Sequence, residues 1–213
     1  MPPATSAQPL VAVLDYGIGN LRSAEKALQH VGADARLTAD HGLIAEAAGV
    51  VLPGVGAFGR CMASLRDSGL EGPAVDALGS GRPFLGICVG MQMLFAGSDE
   101  SPGVAGLGRF PEQVRWLPDD VKRPQMQWNR LQLRRPSPLL DGLPDEPWVY
   151  FVHSLAAEDS EATVATCDYG GPAVAMVADA NVVAMQFHPE KSGTNGLAIL
   201  ANWVRGLRSG DAT

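Results

Sequence analysis

Residues 83–92 read Pro83-Phe84-Leu85-Gly86-Ile87-Cys88-Val89-Gly90-Met91-Gln92. A short, unbroken apolar run such as Phe84–Ile87 is the pattern of a strand covered on both faces, and helical sequence is expected to start near Val89. The same order occurs twice upstream. Leu10–Leu14 (LVAVL) runs into the Gly-rich stretch Asp15-Tyr16-Gly17-Ile18-Gly19-Asn20. Beyond it Leu21, Ala24, Ala27, Leu28 and Val31 recur at helical spacing, with Asn20 as candidate cap and Gly32 as the stop. Ala33–Thr38 reads as a second strand. Gly49–Leu52 ends at Pro53-Gly54-Val55-Gly56 and leads into helical sequence over 57–70. Strand, helix, strand, helix in this order predicts parallel strands with right-handed crossovers and a site beyond their carboxyl ends.

After about residue 105 the pattern changes. Val114–Leu117, Leu131–Leu133, Trp148–Val152, Thr163–Cys167, Ala173–Val177 and Val182–Phe187 are short apolar segments separated by Pro, Asp and Gly, which predicts antiparallel or mixed strands. A last helix over 196–207 would cover one sheet face. The expected fold class is α/β: a mixed, centrally parallel sheet flanked by helices, with additional antiparallel strands in the C-terminal half. With 213 residues and no low-complexity linker, one domain over 10–213 is expected, after a disordered tail over 1–9.

Hydrophobic residues make up 46% of the chain and charged residues 18%, as in an ordinary folded protein. A net charge of −7 without a polybasic run argues against nucleic acid or an anionic membrane as the main partner. No stretch reaches the roughly 20 apolar residues of a membrane span. Cys61, Cys88 and Cys167 are odd in number and widely spaced, which fits a reducing compartment better than a disulfide framework or a metal site. A cytoplasmic protein with no metal and no cofactor is expected.

The form Gly86-x-Cys88-x-Gly90 between a buried strand and a helix is the setting of a nucleophile elbow. The turn crowds its neighbours, so side chains at Gly86 and Gly90 would clash. It would aim the Cys88 sulfur out of the sheet at the amino end of a helix, where thiolate is favoured. The pentapeptide alone is equally compatible with a packing cysteine. Cys61 and Cys167 lack flanking glycines and read as structural.

Near the other end, Met185-Gln186-Phe187-His188-Pro189-Glu190 puts a histidine at a strand edge with a carboxylate two residues on. In extended backbone the two side chains would project to the same side. A carboxylate on one imidazole nitrogen sets the tautomer and leaves the other to exchange protons with Cys88. Cys88, His188 and Glu190 thus have the makings of a nucleophile, base and orienting acid. A solvated His and Glu at a strand end is the competing reading, which the elbow disfavours. His30 and His41 read as solvated.

GICVGMQ (86–92) and FHPE (187–190) resemble the two diagnostic blocks of class I glutamine amidotransferase domains, and the resemblance covers about residues 10–207. DYGIGNLRS (15–23), LPGVGAFG (52–59), YFVHS (150–154) and FHPEKSG (187–193) are similar to the glutaminase subunits of imidazole glycerol phosphate synthases, a branch of that family. The resemblance implies a flavodoxin-like sheet, and attack by Cys88 on the glutamine side-chain amide with His188 as proton carrier. It also implies an oxyanion hole from backbone at Val89 and at Val55 or Gly56. The Gly-rich turn could hold that hole unmade until a signal arrives. Gln92 and Glu100, with backbone at Gly54, Ser154 and Leu155, are implied to bind glutamine. Gln92 on an exposed helix face and Glu100 as a solvated loop acid are the bland alternatives. Gly17 and Gly19 also suggest a dinucleotide fingerprint, but Arg22 stands where a third glycine would be.

A separate (β/α)8-barrel cyclase is the implied partner in a heterodimer of histidine biosynthesis, with Trp128, Tyr150 and Lys191 as interface candidates and His153 as a structural residue. Around Trp128 the sequence reads Pro124-Gln125-Met126-Gln127-Trp128-Asn129. The family pattern has a basic residue or His where Gln125 stands and Gly where Gln127 stands. A glutaminase of another synthase, a stand-alone γ-glutamyl hydrolase, or a catalytically silent binding subunit are the alternatives; the last is disfavoured by an intact triad.

Overall fold

The apolar runs of the first half become neighbouring strands. In the computed structural model, which describes residues 8–19 and 21–209, β1 (Leu10–Leu14) is followed by α1 (Leu21–His30), β2 (Asp34–Thr38), α2 (His41–Glu46) and β3 (Gly49–Gly54). Then come α3 (Phe58–Asp67), α4 (Glu71–Gly79), β4 (Phe84–Cys88) and α5 (Val89–Gln92). The chain moves from β1 out to β2, back past β1 to β3, and on to β4. Right-handed crossovers therefore put α1 on one face and the helices between β2 and β4 on the other. That double cover is why Val11–Leu14, Val50–Leu52 and Phe84–Ile87 are buried without alternation.

The second half supplies β5 (Phe95–Ser98), β6 (Phe110–Trp116), β7 (Gln125–Arg130), β8 (Gln132–Leu133), β9 (Trp148–His153), β10 (Leu155–Ala157), β11 (Thr163–Asp168), β12 (Pro172–Asp179), β13 (Val182–Met185) and α6 (Gly193–Ser209). The main sheet has eight strands in the order β2-β1-β3-β4-β13-β12-β11-β8. Its pairings are parallel from β2 to β13 and antiparallel from β13 to β8. The expected mixed, centrally parallel sheet with an antiparallel C-terminal half is thus the observed one. Two small sheets, β10-β6-β5 and the ribbon β7-β9, stand beside it. α6 packs with α1, and Trp203 is fully buried against Gly49.

Several elements differ from the sequence reading. The helices α2 and α4 and the strands β5, β7 and β10 are not expected from periodicity. Asp40 starts α2 by accepting from the Leu43 N–H at 2.8 Å. The last central strand ends at Met185, two residues before Phe187. Pro9 already belongs to the sheet edge, its carbonyl accepting from the Asp34 N–H at 2.9 Å. The rest of the expected tail, residues 1–7, and the Asn20 cap lie outside the described residues. Among the described residues no helix is long and apolar enough to cross a membrane, and no cluster of His, Cys, Asp and Glu could hold a metal ion.

Candidate active site

Cys88 closes β4 and begins α5 with φ +55° and ψ −116°. Ala180 is the other non-glycine described residue with positive φ. L-residues avoid this region, and a strained conformation held by its surroundings marks a functional turn. The surroundings are tight. A Cβ on Gly90 would run into the Leu52 carbonyl, and one on Gly54 into the Gly90 backbone, so these two glycines let the end of β3 meet the start of α5. Since α5 has only four residues, an axial dipole contributes little here. What the turn offers is the N–H groups of a helix start, which have no partner within the helix, the Val89 N–H first among them.

His188 follows β13 and is buried. Its backbone N–H donates to the Tyr150 carbonyl at 3.0 Å, and its carbonyl accepts from Ser192 Oγ at 2.6 Å. His188 Nδ1 lies 2.8 Å from Glu190 Oε1, with both side chains 5% exposed. The pair is made differently from the extended i, i+2 arrangement: Pro189–Lys191 form a 3-10 turn, and that turn swings the carboxylate back onto the ring. Burial opposes charge on His188, but hydrogen bonds with Cys88 and Glu190 outweigh it and push its pKa up to about 10. With Nδ1–H directed at Glu190, Nε2 is left for Cys88. The environment supports an imidazolium beside the Cys88 sulfur.

Cys88 and His188 open onto a cavity of about 430 Å³, which Val55, Gly56, Val89, Gln92, Glu100, Ser154, Leu155 and Lys191 also line. Of the residues singled out from sequence, Glu190 stands behind His188, and Gly54 behind the wall against Gly90. Trp128 and Tyr150 lie outside it, on the ribbon. Gln92 is 3% exposed rather than on an open helix face. Glu100 accepts from the Phe58 N–H at 2.7 Å, so it joins the start of α3 to the cavity. A larger depression of about 930 Å³ around Arg109 and Arg135 lies at the β12–β13 turn, at the end of the sheet opposite Cys88.

The Pro53–Gly56 turn is anchored from below. The Tyr16 hydroxyl donates to the Pro53 carbonyl at 2.6 Å and the Cys61 thiol to the Val55 carbonyl at 3.3 Å. A trans peptide points its N–H opposite to its carbonyl, so the Gly56 N–H is directed away from Cys61. Burial pushes the Cys61 and Cys167 thiols up to about 11 each, in keeping with packing roles. His153 Nδ1 donates to the Leu155 carbonyl at 2.8 Å, and burial pushes the ring down to about 4. It is therefore neutral at pH 7, with its buried Nε2 unpartnered.

On the ribbon, Trp128 and Tyr150 face each other across β7 and β9 with ring centroids 5.9 Å apart. Trp128, Met126 and Trp148 are exposed. Gln127 is also exposed, so the side chain replacing a glycine has room. Gln125 is fully buried, its Nε2 3.9 Å from Cys167 Sγ. Sequence reasoning misses Gln186. It is fully buried, and its Nε2 lies 3.9 Å from Cys88 Sγ. Its signal is an amide inside an apolar run, where a buried polar group needs partners.

A family model described as glutamine amidotransferase class-I matches residues 12–207. The chain is 47% identical over 204 residues to the imidazole glycerol phosphate synthase subunit HisH of Salinibacter ruber, covering 92% of this chain and 94% of that protein. It is 47% identical over 201 residues to the subunit of the same name from Methanothermobacter thermautotrophicus, covering 94% and 100%. Among solved structures, a glutamine amidotransferase superposes with a TM-score of 0.70 at 20% identity over 90% of this chain and 98% of that one. PurLQS from Thermotoga maritima does so with a TM-score of 0.69 at 17% identity over 92% and 97%. These two likenesses speak to the fold.

Proposed function

The chain belongs to the class I glutamine amidotransferases and, within them, to the HisH subunits of imidazole glycerol phosphate synthase, and on that premise we propose that Cys88, His188 and Glu190 hydrolyse glutamine for a separate cyclase subunit. One observation carries the reading: a cysteine held at positive φ shares a cavity with a buried histidine whose far nitrogen is on a carboxylate.

The steps follow from that arrangement. The Cys88 thiolate attacks the side-chain carbonyl carbon of glutamine, and the oxygen takes up the negative charge. The Val89 N–H and the Gly56 or Val55 N–H are the donors for it. His188, as imidazolium, gives its proton to the nitrogen as the C–N bond breaks, and ammonia leaves a thioester on Cys88. His188, now neutral, takes a proton from water, whose oxygen attacks the thioester. Glutamate departs and the thiolate returns beside a reprotonated imidazole. Gln92 and Glu100 supply acceptors for the ammonium end of the substrate.

Ammonia released into solvent would be protonated and lost as a nucleophile, so the product has to pass directly to an acceptor. We assign the exposed aromatic ribbon around Trp128 and Tyr150, with Lys191 at the cavity, to docking of a (β/α)8-barrel cyclase in a cytoplasmic heterodimer. Glutamate production is measured with the chain alone and with the cyclase and its nucleotide ligand. Stimulation that disappears in Cys88→Ala, while synthesis from added ammonium persists, is the expected result. A high rate without the cyclase, or full activity in Cys88→Ala, refutes the reading.

A further inference from the structure

Behind the nucleophile runs a chain of amides that the triad does not use. Gln186 is fully buried, with its Nε2 3.9 Å from Cys88 Sγ. Its Oε1 accepts from Gln92 Nε2 at 2.9 Å, and Gln92 Nε2 also donates to the Leu155 carbonyl at 3.3 Å. The thiolate of the proposed mechanism requires a facing donor, which sets the Gln186 amide with its nitrogen toward sulfur; the Val152 carbonyl, also 3.9 Å from Sγ, accepts from the thiol form. Its oxygen then has to accept, which fixes the Gln92 amide with its nitrogen inward. Both N–H groups of Gln92 are consumed by Gln186 and Leu155. Only Gln92 Oε1 is left, and Gln92 lines the cavity.

We propose that Gln186 is a positioning residue for glutamine hydrolysis: from beneath the elbow it donates to the Cys88 sulfur and at the same time locks Gln92 with its acceptor toward the substrate. The proposal rests on Cys88 being the nucleophile. It makes Gln92 a reader of substrate N–H groups and not of the carboxylate, and it ties the polarity of the binding wall to the charge on the nucleophile.

The test uses the full chain, with iodoacetamide alkylation of Cys88 followed against pH and the KM for glutamine measured with the cyclase bound. Gln186→Met keeps the volume and removes both bonds. It is expected to slow alkylation at pH 7 about fivefold, to move the midpoint up by about one pH unit and to raise KM about tenfold. Gln92→Met should raise KM alike and leave alkylation alone, and the double variant should raise KM no further than either single one. Gln186→Glu keeps the length and the acceptor to Gln92, so KM within about twofold of the wild type is expected with alkylation still slowed.

Wild-type alkylation and KM in Gln186→Met, multiplying KM effects in the double variant, or a Gln186→Glu KM as high as that of Gln186→Met would each overturn the proposal. Glutaminase activity surviving in Cys88→Ala would instead bring down the nucleophile assignment on which it rests. Because alkylation needs neither glutamine nor cyclase, the two failures are told apart.

Discussion

Replacing Glu190 by Gln changes one atom and removes one charge from the best-defined contact of the site. The carboxylate lies 2.8 Å from His188 Nδ1 with both side chains 5% exposed. At an effective dielectric near 20, two unit charges at that spacing attract by roughly 6 kcal/mol. Burying both groups takes back a large part of this, leaving about 2–3 kcal/mol, the range of a charge-assisted hydrogen bond. The amide oxygen of the substituted side chain could still accept the Nδ1–H, so the tautomer survives and the loss falls on the imidazolium. In the proposed mechanism that form is needed when Cys88 attacks and when ammonia leaves. The expected result is a drop of roughly 30- to 150-fold in kcat/KM for glutamine, mostly in kcat. Glutamate release by Glu190→Gln in complex with the cyclase, with folding verified by thermal melting, measures it. A kcat/KM within about threefold of wild type would refute the assignment of Glu190 as orienting acid.

The raised pKa of His188 also makes a stability claim. Its value of about 10 lies above the ordinary histidine value, so its contribution is full below about pH 6.5, declines as pH rises and is gone above about 10. The Tm difference between wild type and Glu190→Gln should therefore be largest near pH 6 and shrink toward pH 10; a difference that grows with pH contradicts the pairing. Gly90→Ala places a methyl on the Leu52 carbonyl and should cost about 3 kcal/mol, seen as a Tm lower by roughly 6–12 °C. Iodoacetamide at pH 7.5 followed by peptide mass mapping of the folded chain should label Cys88 and spare Cys61 and Cys167, whose thiols sit near 11. Trp128→Ala should weaken cyclase binding by about 2 kcal/mol, some 30-fold in Kd by titration, and leave Cys88 alkylation unchanged.

What can be read from sequence follows from how each residue is used. The strands β1, β3 and β4 are covered on both faces, so they are written as unbroken apolar runs. The elbow and FHPE are legible because a positive φ, a tight backbone approach and a buried His–Glu pair restrict residue choice at Gly90, Cys88, His188 and Glu190. β7 is not legible: Met126, Gln127 and Trp128 are all exposed, and the strand exists only because its backbone pairs with β9. α4 carries Gly72 and Pro73 in its first turn and Gly79 at its end, which blurs a helical period. The 3-10 turn at Pro189 is hidden because a strand edge and a turn both accept proline. Gln186 looks like one more residue of a strand that in fact stops at Met185.

Tyr150 meets His188 through its main chain. Its carbonyl takes the His188 N–H, and its own N–H goes to Ser192 Oγ at 2.9 Å, while its ring lies beside Trp128. The clasp on the histidine is thus blind to which side chain Tyr150 carries. The outer face of this ribbon can be rewritten residue by residue to suit one docking companion or another, and His188 would keep its seat through every revision.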